Sequence, residues 1–199
     1  LTPFTEKFMA LMDRLVLGDG MDPRVNMGPM VTRSHQEKVL SYIRLGQEEG
    51  ATLAKQLPVP TEGPLANGYF VGPTLFTNVD RHMRIAREEI FGPVACIMPF
   101  DGEDEAVSIA NDTDFGLITV VFTENHSRAM RVTRGLDVGC VYVNNFYRLG
   151  AQCVPFGGNK ASGYGRERCA DTLLEFSRPK TVRIPSGLSE IPAWKPCRD

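Results

Sequence analysis

Two adjacent carboxylates open the most chemically suggestive run of this sequence, Glu88-Glu89-Ile90-Phe91-Gly92-Pro93-Val94. An ionised carboxylate only accepts hydrogen bonds, and its two oxygens can take both hydroxyls of a sugar diol. An aromatic ring two residues later can pack against a flat ligand ring. The same run also reads as an exposed acidic pair opening a Gly-Pro turn. On the residues alone both readings stand.

The second run is Pro155-Phe156-Gly157-Gly158-Asn159-Lys160-Ala161-Ser162-Gly163-Tyr164-Gly165-Arg166-Glu167. Its glycine content suits a phosphate loop, but its chemistry does not. Gly158 and Gly163 have the right separation, yet Tyr164 and Gly165 stand where Lys and Ser or Thr would follow. The G-x-G-x-x-G spacing of a dinucleotide turn is absent as well. Glycine most often serves backbone geometry, so close packing of this loop is favoured over ligand binding.

Five cysteines could supply a thiol nucleophile: Cys96, Cys140, Cys153, Cys169 and Cys197. Cys96 and Cys140 fall in apolar runs of strand type and Cys169 on an apolar helix face, so all three read as buried and inert. Cys153 precedes Phe156 in a loop and is the accessible candidate. His35, His82 and His126 lie among polar neighbours near caps and turns, and nothing promotes a Cys–His pair. The odd cysteine count and the lack of C-x-x-C spacing argue against a disulfide framework or a zinc site. They point to a reducing, cytoplasmic setting.

The elements that must position these residues alternate between helix and strand. A helix is expected near 3–17, with Pro3 in its first turn and Phe4, Phe8, Leu11 and Leu15 on one face. Ser34 and Glu37 read as a capping box for a helix near 34–49, whose buried side is Val39, Ile43 and Gly46. Further helices are expected near 103–111, capped by Asp101, near 125–134, capped by Asn125, and near 166–176, with Cys169, Leu173 and Phe176 inward. Strands are expected near 70–76, 94–100, 117–122 and 138–143, and a last one from Lys180 to Ile184. Apolar strands alternating with amphipathic helices indicate an α/β fold with a sheet covered on both faces.

The 199 residues suffice for a real core. Lys and Arg number 22 against 24 Asp and Glu, and no long basic run occurs, so neither nucleic acid nor a membrane surface is an expected partner. No apolar stretch approaches the roughly 20 residues of a spanning helix. No signal peptide is visible after Leu1-Thr2-Pro3-Phe4, and without an initiator Met the sequence reads as a piece of a longer chain.

Taken in order, the motifs resemble the NAD(P)-dependent aldehyde dehydrogenase superfamily. The run from Glu88 to Val94 and Pro155-Phe156-Gly157-Gly158, with Lys160, Ser162-Gly163 and Gly165-Arg166-Glu167, are similar to its signatures. Met27-Gly28-Pro29, Gly72-Pro73-Thr74, Ala110-Asn111, Phe115-Gly116-Leu117 and Val143-Asn144 match in the same order. The resemblance runs from about Phe4 to Val182 and is to the family's C-terminal part only.

The resemblance implies an aldehyde-dehydrogenase-like catalytic domain, with a Rossmann-like sheet covered by helices over 1–178. An oligomerisation strand and tail follow over 179–199. It implies oxidation of an aldehyde to a carboxylic acid with NAD or NADP through a cysteine thioester. Glu89 would bind the nicotinamide ribose hydroxyls, and Phe91 would pack near the nicotinamide. Asn144, Leu149, Cys153 and Phe156 would line the substrate tunnel, and Glu167 matches an acid proposed to relay protons. Lys180 to Ile184 would join a partner subunit's sheet in a homo-oligomer. No metal is implied.

The family's nucleophilic Cys, its general-base Glu and its cofactor domain have no counterpart here, so the chain alone is expected to be inactive. Leu149 stands where many members carry an aromatic, and one extra residue lies between Gln152 and Phe156, which leaves the aldehyde unnamed. Two alternatives remain beside this reading: a non-catalytic structural or oligomerisation fragment that binds no cofactor, and a thiol enzyme built on Cys153.

Overall fold

The computed structural model describes residues 1–145, 153–184 and 187. Leu149, Cys197 and most of the 179–199 tail lie outside the described residues.

Helix α1 spans Thr2–Met12, with Pro3 in its first turn. It stops five residues short of the expected end because the chain turns to pair elsewhere. The Val16 N–H donates to Asn26 Oδ1 at 2.9 Å, and Leu17 bridges Met27. Its buried face is also rotated from the expected one. Met12 is buried and Phe8 and Met9 pack beside it, while Phe4 and Leu11 stay exposed.

Helix α2 spans Arg33–Glu48 and buries Val39, Ile43 and Gly46, as expected. Its N-cap is Thr32, not Ser34: the Thr32 hydroxyl accepts from the His35 N–H at 3.2 Å. Gly50, at φ +95, lets the chain leave the helix in a left-handed turn.

Strand β1, Thr52–Gln56, has no clear signal in the sequence. It pairs antiparallel with β2, Thr74–Thr77, which pairs in parallel with β3, Val94–Cys96. A one-turn helix, α3 (Arg84–Arg87), equally unsignalled, lies in the β2–β3 crossover. Strand β2 begins only at Thr74 because Gly72-Pro73 must pass the β1 exit closely. A Cβ on Gly72 would lie 1.9 Å from the Leu57 carbonyl oxygen.

Successive residues of β2 point to opposite faces of its sheet. Phe76 enters a cluster with Val39, Ile43, Val71, Val79, Ile85 and Ile90. Leu75 enters the other with Met12 and Ile97. The sheet is thus covered by α2 and α3 on one side and by α1 on the other. Full burial of each such side chain contributes about 1.5–3 kcal/mol.

The rest of the chain is built differently. Helix α4 is Glu103–Asn111, β4 is Phe115–Gly116 and β5 is Ile118–Val121. Helix α5 is His126–Gly135, β6 is Cys140–Val143 and β7 is Asn159–Lys160. Strands β5 and β6 run parallel with α5 as their crossover, and β4 pairs antiparallel with β7. The α/β architecture therefore holds, with the strands of the described residues divided among three small sheets.

Asn125 caps α5 as expected, accepting from the Arg128 N–H at 2.9 Å. Gly102, not Asp101, caps α4, and its φ of +88 suits glycine. Glu105 reaches back to the Asp101 N–H at 2.5 Å. Polar staples take the place of a core here. Glu103 takes both Arg128 and Arg131, and Asn111 bonds the Gly135 carbonyl and the Asp137 N–H at 2.7 and 2.8 Å.

The expected helix over 166–176 shortens to α6, Ala170–Glu175. Its intended inner face, Leu173 and Phe176, is exposed, because no element of the described chain lies over it. Lys180 to Ile184 forms no strand within this chain. Pro179 supplies no N–H, and an edge strand needs a neighbour to pair with.

Candidate functional site

Helix α3 ends at Arg87, and the chain then runs extended through Glu88 toward β3. The Glu88 carboxylate is engaged within the chain. Arg84 Nε and Nη2 donate to its two oxygens at 2.6 and 3.0 Å, and the Tyr42 hydroxyl donates at 2.5 Å. The Arg84 guanidinium first, and then the Tyr42 hydroxyl, hold this carboxyl down at about 2. The Tyr42 phenol is raised in turn by donating to Glu88.

Glu89 is the opposite case. Its carboxylate is exposed and makes no hydrogen bond or ion pair among the described residues. Only its backbone is held: Lys38 Nζ donates to the Glu89 carbonyl at 3.2 Å. Ile90 then buries its side chain in the core, which anchors the segment between the two candidate ligand groups.

Phe91 sits at φ +57, a left-handed conformation that costs a non-glycine residue roughly 1–2 kcal/mol. The ring is 73% exposed. Two contacts maintain the conformation. His35 Nε2 lies 2.7 Å from the Phe91 carbonyl, and since a carbonyl oxygen only accepts, that nitrogen carries the proton. Gly92 follows against Val39, whose Cγ2 would be 2.6 Å from any Cβ there. The strain is therefore held by packing on both sides, and it turns an aromatic ring outward.

A cleft of about 300 Å³ opens beside this segment. Arg87, Glu88 and Glu89 line one wall, and Thr113, Phe115 and Ser162 line the other. Asp112 ties the walls together, taking Arg81 Nε at 2.8 Å and Arg87 Nη1 at 2.9 Å. Arg87 first, and then Arg81, lower the Asp112 carboxyl.

The other expected site residues fall elsewhere. Asn144 follows β6 at φ +52, and its side chain clamps Thr123: the Thr123 N–H donates to Oδ1 at 2.8 Å, and Nδ2 donates to the Thr123 carbonyl at 2.7 Å. Cys153 is free and exposed. Phe156 and Glu167 exchange backbone hydrogen bonds at 3.0 and 2.7 Å, and the Arg168 guanidinium stacks 5.0 Å over the Phe156 ring. The Glu167 carboxylate is exposed. Glu89 and Phe91 thus form one group and Phe156 and Glu167 another, with Leu149 outside the described residues.

The glycine-rich loop is packed on the chain itself. A Cβ on Gly139 would lie 1.7 Å from the Gly157 carbonyl oxygen, and one on Gly157 would lie 2.4 Å from that of Gly165. Arg166 Nη1 donates to the Gly158 and Gly165 carbonyls at 2.9 and 2.8 Å. Lys160 Nζ donates to the Asn111 and Thr113 carbonyls. None of these contacts needs a ligand. Cys96, Cys140 and Cys169 are half-buried, and burial pushes the Cys96 thiol up to about 11.

Four residues behind the site carry no signal of that role in the sequence: His35, Lys38, Tyr42 and Arg84. The first three recur at i, i+3 and i+7 along α2, one helical stripe. They meet Phe91, Glu89 and Glu88 in reverse chain order.

The similarity to known proteins bears on this arrangement. An aldehyde dehydrogenase of Didymella fabae is 46% identical over 198 residues, which is 98% of this chain and 40% of that protein. Aldehyde dehydrogenase citD of Monascus ruber is 53% identical over 190 residues, 94% of this chain and 37% of that protein. The structure superposes with a TM-score of 0.82 on betaine aldehyde dehydrogenase from Staphylococcus aureus in complex with NAD+. There the identity is 38%, covering 88% of this chain and 35% of the other. The chain thus spans 35–40% of the length of these relatives. Residues 1–182 match the family described as the aldehyde dehydrogenase family, and that match, nearly the length of the chain and carried through the Glu88–Val94 run, makes this chain a member of it.

Proposed function

We propose that these 199 residues form the C-terminal portion of an enzyme that oxidises an aldehyde to a carboxylic acid with NAD or NADP. The observation that carries this is the contrast between Glu88 and Glu89. Both residues line the cleft, but the Glu88 carboxylate takes three hydrogen bonds within the chain while that of Glu89 takes none among the described residues. An acceptor-only group beside a strained, outward-facing ring fits the diol and flat ring of a nicotinamide riboside. The similarity to aldehyde dehydrogenases and the NAD+ bound to the solved neighbour support the same reading.

The bound dinucleotide would serve as hydride acceptor. Glu89 would accept from the two ribose hydroxyls, and Phe91 would limit where the nicotinamide ring can lie. Fixing that ring relative to the substrate carbon lowers the barrier by positioning. The thiolate that attacks the aldehyde and the base that activates water would come from outside these 199 residues. Cys153, free and exposed, makes no hydrogen bond with a histidine among the described residues, and the nucleophile's role is not assigned to it.

Asn144, Leu149, Cys153 and Phe156 are proposed to border the aldehyde's path. For Asn144 the role is indirect, since its amide is spent on Thr123. Glu167, exposed beside Phe156, is the proposed proton relay. Lys180 to Ile184 is proposed to pair with a second subunit in a cytoplasmic homo-oligomer.

Glu89→Gln in the enzyme that carries this chain tests the reading. The amide keeps the shape but loses the charge, and a hydrogen bond to a charged group is worth about 1.5–3 kcal/mol. Pre-steady-state hydride transfer should slow by roughly 10- to 100-fold. Cysteine acylation by an activated ester should change much less. Unchanged hydride transfer would refute the role of Glu89, and NADH formation by the 199 residues alone would refute their dependence on an outside nucleophile.

A further inference from the structure

Glu89 can act on a ligand only if its backbone stays still, and its own side chain does nothing to hold it. Lys38 holds its carbonyl and the next residue, Ile90, is anchored in the core, and a further restraint lies one residue earlier. Glu88 is gripped by three hydrogen bonds, from Arg84 Nε, Arg84 Nη2 and the Tyr42 hydroxyl. Its N–H also bonds the Arg84 carbonyl at 2.8 Å. Arg84 is fixed in turn, because its N–H donates to Glu49 Oε1 at 3.0 Å. The Tyr42 ring is flanked by two cations, with Arg84 Cζ 5.9 Å and Lys38 Nζ 5.8 Å from its centroid.

We infer that Tyr42 is a positioning residue for Glu89, acting through Glu88. Tyr42 joins α2, whose Val39 and Ile43 are locked in the main core, to the peptide that carries the candidate ribose acceptor. Removing its hydroxyl leaves Arg84 as the only side chain holding Glu88 among the described residues. Arg84 is local to the same segment, since it lies four residues before Glu88. Lys38 on the Glu89 carbonyl and Ile90 in the core still tether the segment, so the loss is graded, and Tyr42 is the side chain that ties the Glu88 carboxylate itself to another element.

This inference rests on the reading of Glu89 as a cofactor acceptor, and a double-mutant cycle separates the two. NAD+ affinity and the KM for NAD+ would be measured in the full enzyme for Tyr42→Phe, Glu89→Gln and the double variant. Tyr42→Phe should weaken NAD+ binding by about 3- to 10-fold, the size of one lost hydrogen bond. Once Glu89 is replaced, the same change should cost less than about 2-fold, because nothing remains to be positioned. An equal loss in both backgrounds, or no loss in either, overturns the inference while leaving Glu89 its role. A Glu89→Gln enzyme with unaltered NAD+ affinity and unaltered hydride transfer overturns both. Glu88→Gln tests the same coupling should Tyr42→Phe fail to fold: weakened NAD+ binding that vanishes in the Glu89→Gln background supports the inference, and additive loss refutes it.

Discussion

Residues 1–100 and residues 101–184 have similar element types but opposite means of support. Every buried apolar side chain among the described residues lies in the first region except Ala129. Both regions expose apolar side chains, Phe4, Leu11 and Phe91 in the first and Phe122, Tyr164, Leu173, Leu174 and Phe176 in the second, but the second has almost no buried core beneath them. It is held by polar staples instead: Glu103 with Arg128 and Arg131, Asn111 with the α5 exit, Lys160 with two carbonyls and Asn144 with Thr123. A region that keeps its apolar faces outward is built to be covered. The chain spans 35–40% of its relatives' length, and the cover is proposed to come from the remainder of the protein or from a second subunit.

Core truncation should separate the regions most. Phe76→Ala empties a fully buried site between α2 and the sheet and should cost about 3–5 kcal/mol in denaturant unfolding of the chain. Phe176→Ala, at a 90% exposed ring, should change the chain's stability by less than about 0.5 kcal/mol. Comparable losses would erase the distinction. Association comes next in size. The exposed apolar faces should draw the 199 residues into dimers or larger species, and a clean monomer by light scattering at high concentration would contradict that.

Hydrogen exchange sharpens the comparison further. Amides of β2 and of α2 around Val39 should exchange only through global opening, while those of β5 and β6 should exchange faster through local opening. Equal protection would show that the staples match a core. The smallest effect is expected from acid. Arg131 first, and then Arg128, hold the Glu103 carboxyl at about 2 against an ordinary 4.5. A depressed carboxyl contributes its stability in full above about pH 4.5 and loses it as pH falls toward 2. Exchange in α4 and α5 should therefore accelerate across that window, ahead of α2. Glu103→Gln should flatten this dependence.

Much of this molecule follows from short-range chemistry in the chain. The α2 core face of Val39, Ile43 and Gly46, the Asn125 cap and strands β3, β5 and β6 each answer to a periodicity or a cap read within about one element's length. The ordered motifs likewise sufficed for the family. Contacts between distant residues decided the rest. Strand β1 exists because β2 lies beside it, and α1 ends at Met12 because Val16 and Leu17 find partners near Asn26. The two carboxylates of Glu88-Glu89 are equivalent as letters. Arg84, one helical turn before Glu88, and Tyr42, 46 residues away, together engage the Glu88 carboxylate, while that of Glu89 takes no bond among the described residues. Sequence spacing states which residue types are adjacent along the chain. Which of them is satisfied internally, and which is free for a ligand, depends on hydrogen-bond partners that only folding brings within reach.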